Sequence, residues 1–364
     1  NMETGYIFKE FFDRTLDIKN YESRSDNRFI DTGKRENYLF NSSINGIEES
    51  DFIFLIGTNP RYEATILNAR IRKSYLNNNT KIISLNNLGD LTYPYESLDG
   101  QTQLLKDIFD GNNEISKQII NANKPMIILG ESLLNSNSSR YLFNMTKKFL
   151  TKNNKINDDW NAFNILSCDA ATVGNFDLGI INEENNLLDD LKNHKFDIVY
   201  LVGQDNLNFD KKDEFIIYQG SHGDNGAEIA DIILPGSAYT EQDGYYTNLE
   251  GKIQKAQKAS YPPEEAKEDW QIINELAEFI NNRKLFNDKD ELESSMFNYL
   301  NLQKEKKNNS VKQNINSSEV EFNNEALKVF VKDYYFSNVI AKSSKTMIEC
   351  HNSKINLKST GTEG

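Results

Sequence analysis

Cysteine is almost missing from this chain. Its 364 residues include two, Cys168 and Cys350. An iron–sulfur cluster takes four thiolates, or two thiolates with two histidines. A disulfide framework takes an even set at regular spacing. Neither is supplied. Histidine is nearly as scarce, at His194, His222 and His351. Cys350 and His351 are neighbours, but adjacent side chains on a helix or strand point apart. The pair therefore reads as a free thiol beside a surface histidine, and no metal site is expected. No apolar run approaches the roughly 20 residues that cross a bilayer, so no membrane span is expected. Basic charge is also short. The chain has 41 Lys and Arg against 55 Asp and Glu, for a net −14. Nucleic acid wants a basic face, so it is not an expected partner. The first residues, Asn1 to Gly5, are neither an apolar signal core nor an Arg-rich transit peptide.

Length suggests about two domains at about 150 residues each. Apolar residues make up 38% and charged residues 26%, polar for a globular chain, but 21 Phe and 17 Tyr can still build a core. Four segments share one local grammar, an apolar run of strand length closed by Gly. They are DFIFLIG (51–57), KPMIILG (124–130), DIVYLVG (197–203) and FIIYQG (215–220), with IILPG (232–236) as a fifth. Continuous apolar runs fit strands buried on both faces of a parallel sheet. Helical periods lie between some of them. One covers 61–76, with Ala64, Leu67, Ile71 and Tyr75 on one stripe, and Asn59-Pro60 ahead of it as cap and first-turn residue. A second covers 140–150, with Leu142, Met145 and Phe149 in register. Strands alternating with helices predict a doubly wound, mostly parallel α/β architecture.

The flanks differ. Residues 1–50 predict a helix over 6–14 and then a polar extended stretch. The α/β region runs over 51–260. Residues 261–364 read as a helical tail. Pro262-Pro263 interrupts the chain, and 264–281 carries Trp270, Ile273, Ala277 and Ile280 at helical spacing. Residues 301–324 are nearly bare of apolar side chains and predict a mobile polar loop. The chain should dock back onto the body at 326–335, with Phe330 in an apolar contact.

Several positions could carry chemistry. Gly57-Thr58-Asn59-Pro60-Arg61 ends the first strong strand, where open α/β sheets bind ligands. Backbone N–H groups there can hold an anion, but the same residues also read as a capped helix start. The pattern is not GxGxxG, so it does not signal a dinucleotide. The loop 219–226 holds His222 and Asp224, an acid–base pair or simply turn residues. Glu241 and Asp243 flank a turn and read as a solvated loop. Arg70, Arg72 and Lys73 form a basic patch on a solvated helix face.

The densest signal is 230–251, ADIILPGSAYTEQDGYYTNLEG. A buried strand ends in a Pro-Gly turn, an acidic loop follows, and a Tyr-rich extended piece closes on Asn248 and Gly251. This block resembles the molybdopterin oxidoreductase superfamily, and within it the large iron–sulfur subunit of respiratory complex I. The blocks at 51–82, 91–100, 160–179, 215–257, 262–278 and 331–347 occur in the family's order, so the resemblance covers nearly the whole chain and matches the C-terminal half of that large subunit.

The resemblance implies a molybdopterin-type fold without its cofactor, in a subunit of NADH:ubiquinone oxidoreductase. The implied place is the matrix-facing peripheral arm of the mitochondrial inner-membrane complex. The family's iron–sulfur clusters belong to its N-terminal half, whose Cys-rich motifs are absent here. Expected partners are that cluster-bearing half and other complex I subunits. No catalytic, metal or cofactor-binding residue is expected. Thr58, Asn59, Arg61, His222, Asp224 and Asn248 are the candidates for a vestigial pocket. The competing reading is a molybdopterin-dependent oxidoreductase fragment that still holds a pterin nucleotide, and a third is a free-standing nucleotide-binding module. Against the pterin reading, Lys252 stands where the family leads one to expect Arg, losing a bidentate fork. No Cys or Ser has a recognisable molybdenum-ligand context.

Overall fold

The computed structural model describes residues 1–182, 187–204, 207, 209–309, 321–330 and 333–360. Helix α1 (Met2–Phe11) starts under a side-chain cap, where Asn1 accepts from the Thr4 N–H at 2.9 Å. A wider turn over Phe12–Leu16 continues it to Asp17, whose left-handed backbone ends the run. The predicted helix over 6–14 thus exists but begins four residues earlier.

Five parallel strands form the larger sheet: β1 (Phe52–Ile56), β2 (Lys81–Ser84), β3 (Glu96–Ser97), β4 (Pro125–Gly130) and β5 (Phe163–Leu166). Their spatial order is β3-β2-β1-β4-β5. The chain winds outward from β1 to β3, returns beside β1 as β4, and winds outward again. Helices α2 (Pro60–Glu63) and α3 (Thr65–Asn78) join β1 to β2. Helices α4 (Thr102–Phe109) and α5 (Glu114–Asn121) join β3 to β4, and α6 (Glu131–Leu134) and α7 (Ser139–Lys152) join β4 to β5.

Every residue of β1 and β4 is buried. Alternate side chains feed opposite faces, as the two-residue period requires. Phe52, Phe54, Ile127 and Leu129 join Leu105, Ile119 and Leu142 on one side. Ile53, Leu55, Met126 and Ile128 join Leu67 and Ile71 on the other. Each such side chain contributes about 1.5–3 kcal/mol on burial. For these two runs the expectation of a strand covered on both faces holds; the runs at 197–203, 215–220 and 232–236 form strands that keep exposed side chains. The helix expected over 61–76 is broken at Ala64 (φ −148°, ψ 67°), so its stripe belongs mostly to α3.

A second, three-stranded parallel sheet follows α8 (Thr172–Asp177) and α9 (Leu187–Lys192). It consists of β6 (Ile198–Val202), β7 (Phe215–Gly220) and β8 (Ile232–Pro235), in the order β6-β7-β8, with α10 (Asn225–Ile229) before β8. An antiparallel hairpin, β9 (Gly244–Thr247) and β10 (Ile253–Ala256), comes next. Helix α11 (Asp269–Asn281) starts five residues later than expected, after Pro262-Pro263 and a left-handed Glu264. It packs with α1 and α12 (Lys289–Asn309) into one cluster around Tyr6, Phe11, Ile273 and Met296.

The tail ends in α13 (Val339–Ser343) and α14 (Lys345–Thr360). Two expectations for it need correction. The polar loop over 301–324 does not start at 301, because α12 runs to Asn309. Its straight-chain Lys, Gln and Glu residues favour helix without needing burial. Residues 310–320 of that loop lie outside the described residues, as does Val331 of the docking segment. The docking side chain is also different. Leu327 is buried at 5% exposure in one core and Val329 packs against the other, but Phe330 is 69% exposed. Residues 325–330 form a strap held by buried Leu327 and by backbone hydrogen bonds rather than by Phe330.

Candidate functional site

In a doubly wound sheet the ligand crevice opens at the strands' carboxyl ends, where the winding reverses. Here that point lies between β1 and β4. Gly57 follows β1 with φ +67°, and Gly130 ends β4. The two turns touch. A Cβ on Gly130 would lie 2.3 Å from the Gly57 carbonyl oxygen and 2.4 Å from Thr58 Cβ. The Ser132 N–H donates to the Gly57 carbonyl at 3.2 Å. Backbone therefore occupies the switch point where a ligand's phosphate would approach.

The donors around this turn are already used. Thr58 donates its hydroxyl to the Glu63 carboxylate, and the Asn59 N–H donates to the same oxygen at 2.8 Å. Glu63, Thr58 and Asn59 are all buried. Glu63 thus supplies internally the negative charge that a bound anion would supply. Asn59 also accepts from the Arg61 N–H at 3.2 Å and donates to the Leu88 carbonyl at 3.1 Å. Arg61 turns outward onto Asp90, 2.6 Å away. The Thr92 N–H, and then Arg61, hold the Asp90 carboxyl below its ordinary range.

A second plug comes from the extended N-terminal stretch. Arg28, 2% exposed, lies among Asp26 at 2.6 Å, Glu131 just past β4, and Asp169 at 3.8 Å. Glu131 also accepts from the Cys168 N–H at 2.9 Å, which ties the ends of β4 and β5. Burial works against the Arg28 charge, but Glu131 and Asp26 outweigh it and hold the guanidinium protonated above its ordinary range.

The tail crosses the same end of the sheet. The Thr102 N–H donates to the Glu325 carbonyl at 3.0 Å, and Leu327 N–H to Gly100 at 2.9 Å. Asn86 past β2 donates to the Leu327 carbonyl at 2.8 Å, and Phe330 N–H donates to Ser132 Oγ past β4 at 2.9 Å. Further on, Lys354 of α14 stands 5.0 Å above the Tyr62 ring of α2.

The remaining pocket candidates lie elsewhere. Asp224 caps α10 through the N–H groups of Gly226 and Ala227, and takes the Tyr218 hydroxyl at 2.5 Å. His222 pairs with Ser221 Oγ at 2.9 Å rather than with Asp224. Asn248 closes the β9–β10 turn, accepting from the Glu250 and Lys252 N–H groups at 3.1 and 2.9 Å. Lys252 is exposed. Thr58, Asn59 and Arg61 are therefore one group, His222 and Asp224 another, and Asn248 a third. No hydrogen bond found among the described residues joins the three groups into one pocket.

Sequence reading missed two buried polar centres. In one, Arg35 holds Asp177 bidentately at 2.8 and 2.7 Å and reaches the Gly251 carbonyl at 2.7 Å, while the Tyr38 hydroxyl donates to Asp177. Burial and then Asp177 push the Tyr38 hydroxyl up from its ordinary range. Gly251 is required there, with φ +80° and a Cβ position 2.6 Å from the guanidinium. In the other, Asp269 accepts from Gln219 (2.9 Å), Thr4 (3.2 Å) and Gln242 (3.3 Å), and buried Glu3 accepts from the Tyr245 N–H at 2.9 Å. Burial raises the Glu3 carboxyl above its ordinary range. The motif 230–251 was the available signal. Of its residues, Gln242 donates to Asp269 of α11 and accepts from Asn1 ahead of α1, and the Tyr245 N–H of the hairpin donates to Glu3 of α1.

Among the described residues, no group of three or more His, Cys, Asp and Glu is placed to hold a metal ion. Neither Cys168 nor Cys350 is joined in a disulfide. A pterin nucleotide does not fit the switch point as built, because Glu63, the Gly57–Gly130 contact and the strap take its place.

These features define a doubly wound α/β protein whose ligand crevice is filled by its own chain. Residues 1–279 match the molybdopterin oxidoreductase family, and the chain belongs to that family. Residues 291–350 match the C-terminal region of the NADH-ubiquinone oxidoreductase G subunit. The relatives agree. The chain is 34% identical to the NADH-ubiquinone oxidoreductase 75 kDa subunit of Reclinomonas americana, over 96% of its own length and 53% of the relative's. It is 37% identical to the mitochondrial NADH-ubiquinone oxidoreductase 78 kDa subunit of Candida albicans, over 87% and 45%. It is 35% identical to the NADH-quinone oxidoreductase G subunit of Rickettsia bellii, over 99% and 52%. The chain thus spans about half the length of the curated relatives it matches.

Proposed function

We propose that this chain is a structural and assembly part of the peripheral arm of mitochondrial complex I, NADH:ubiquinone oxidoreductase. It occupies the matrix side of the inner-membrane complex and holds no redox centre of its own. The iron–sulfur clusters belong to the region corresponding to its relatives' N-terminal half, with which it associates, as it does with other complex I subunits. The working division is an N-terminal helix and extended segment over 1–50, the α/β region over 51–260, and a helical tail over 261–364.

One observation carries the cofactor-free reading. The switch point that would hold a pterin nucleotide is filled by Glu63, by the Gly57–Gly130 contact and by the strap across Gly100, Asn86 and Ser132. Likeness to the 75 and 78 kDa subunits along nearly the whole chain supports the assignment to complex I. The crowded crevice disfavours the rival, a pterin-dependent fragment.

The test is native-gel separation of solubilised mitochondria, with peptide identification of this chain and elemental analysis of the purified chain. Co-migration with NADH dehydrogenase activity is expected, with neither molybdenum nor iron in the isolated chain. Migration apart from that activity would overturn the assignment. About one metal per chain would overturn the cofactor-free reading.

A further inference from the structure

The second sheet presents an apolar face that the described residues leave partly uncovered. Its strands are in parallel register with Ile198 opposite Phe215, and Tyr200 opposite Ile217, which in turn stands opposite Ile232. By the two-residue period these side chains share one face. Toward the carboxyl ends that face is covered by α1, where Phe8 meets Tyr200 edge-on at 5.1 Å. Toward the strand starts it is open. Ile198 is 64% exposed, Phe215 42% and Ile232 45%, and each is the first residue of its strand.

An aspartate stands next to each of these strand starts: Asp197 before β6, Asp213 two residues before β7 and Asp231 before β8, all exposed. Lys211 pairs with Asp231 at 2.7 Å. The surrounding lobe is acidic as a whole. Between residues 187 and 243 the chain carries twelve Asp and Glu against four Lys. Lys195, Lys211 and Lys212 stand beside these aspartates, so the rim carries both signs while the lobe as a whole is acidic. Contiguous exposed apolar side chains with a polar rim mark an interaction surface, and a net acidic surface favours a basic partner.

We propose that the face formed by Ile198, Phe215, Ile217 and Ile232 docks another polypeptide of the assembly, through an apolar stripe flanked by lysine or arginine. The partner's aliphatic side chains cover the open strand starts. Its basic groups pair with Asp197 and Asp213. This inference rests on the assembly role proposed above.

Amide hydrogen exchange of the isolated chain and of the purified complex tests it, together with carbodiimide cross-linking of the complex read by mass spectrometry. The amides of residues 215–217 and 232–233 should exchange at least about tenfold more slowly in the complex, as expected when an exposed region is covered. Asp197 or Asp213 should cross-link to lysines of a different polypeptide. The double variant Ile198→Thr, Ile232→Thr keeps β-branched residues at exposed sites. It should melt like the parent as an isolated chain yet be lost from the complex, and Asp213→Lys should be depleted from it.

Unchanged exchange at these amides in a complex that contains the chain would overturn the docking face and leave the assembly role standing. Cross-links from Asp213 to a second copy of this chain, or normal incorporation of the double Thr variant, would also overturn it. Absence of the chain from the complex would overturn both.

Discussion

Two segments of this chain read alike and are built differently. DFIFLIG at 51–57 and DIVYLVG at 197–203 share length, apolar content, a leading aspartate and a closing glycine. In the first, every strand residue is buried, between one core of α4, α5 and α7 and another of α3. In the second, only Leu201 is buried, and Ile198 at the start is among the most exposed apolar residues described. The larger sheet has a helix-covered core on each face, and the turns at the ends of β1 and β4 are crossed by other segments of the chain. On the smaller sheet, α10 and the cluster around Ile216 and Tyr218 lie on one face, where Ile233 of the edge strand is still 53% exposed, and α1 covers part of the other. An apolar run encodes a strand; what lies across its face is a property of the rest of the molecule.

This contrast can be broken from the larger sheet first. Arg28→Ala leaves Glu131 buried beside Asp26 without its cation, and removing one partner of a buried pair costs about 3–5 kcal/mol. Urea unfolding should show a loss of that size, and Arg28→Met with Glu131→Leu should recover much of it. Next, Gly130→Ala drives a methyl into the Gly57 backbone, where no flexible side chain can yield. A loss of about 3 kcal/mol is expected by the same measurement.

The strap supplies a matched pair. Leu327→Ala should cost about 2–4 kcal/mol, as for other buried leucines. Phe330→Asp should cost less than about 0.5 kcal/mol, because its ring already faces solvent. Equal losses would mean that Phe330 packs after all.

The smaller sheet has an acid-sensitive joint. Glu214 accepts from the Lys212 N–H at 2.7 Å and from His194 at 2.5 Å. The Lys212 N–H first, and His194 among the lesser causes, hold its carboxyl down to about 2. A depressed carboxyl stabilises the fold fully above its unfolded value of about 4.3, and that contribution is lost as pH falls toward 2. The start of β7 should therefore loosen within that window, seen as faster exchange of its amides. Glu214→Gln should remove the pH dependence of that step. Smallest of all, Ile198→Thr should shift the stability of the isolated chain by less than about 0.5 kcal/mol.

Much of the fold was legible, for identifiable reasons. The five Gly-terminated runs are all strands, and the stripe of Leu67, Ile71 and Tyr75 lies on α3, because local periodicity reports which side chains share a face. Strands β2, β3 and β5 escaped notice. KIIS and FNIL are four residues each and β3 only two, too short for a period to stand out. The tail was less legible. Charge and polarity over 301–309 read as loop, yet those residues extend α12, since helix propensity asks nothing of burial.

The candidate site was legible as a set of loops but not as a place. Thr58, Asn59 and Arg61 were found where the winding predicts a crevice. Asp224 proved to be a helix cap and Asn248 a hairpin turn. Nothing local says that Glu63 fills the anion position, that Arg28 reaches Glu131 103 residues away, or that the strap crosses Gly100 and Ser132.

The sequence by itself determined the class of architecture, the shortage of cluster ligands and the family. Strand and helix periods, cysteine counts and ordered blocks are properties of the chain read in one dimension. Only the tertiary structure decided that the crevice is plugged and that one sheet has a helix-covered core on each face while the other is open at its strand starts. Those outcomes depend on which distant side chains and backbone segments occupy the same few ångströms, and sequence spacing carries no measure of that distance.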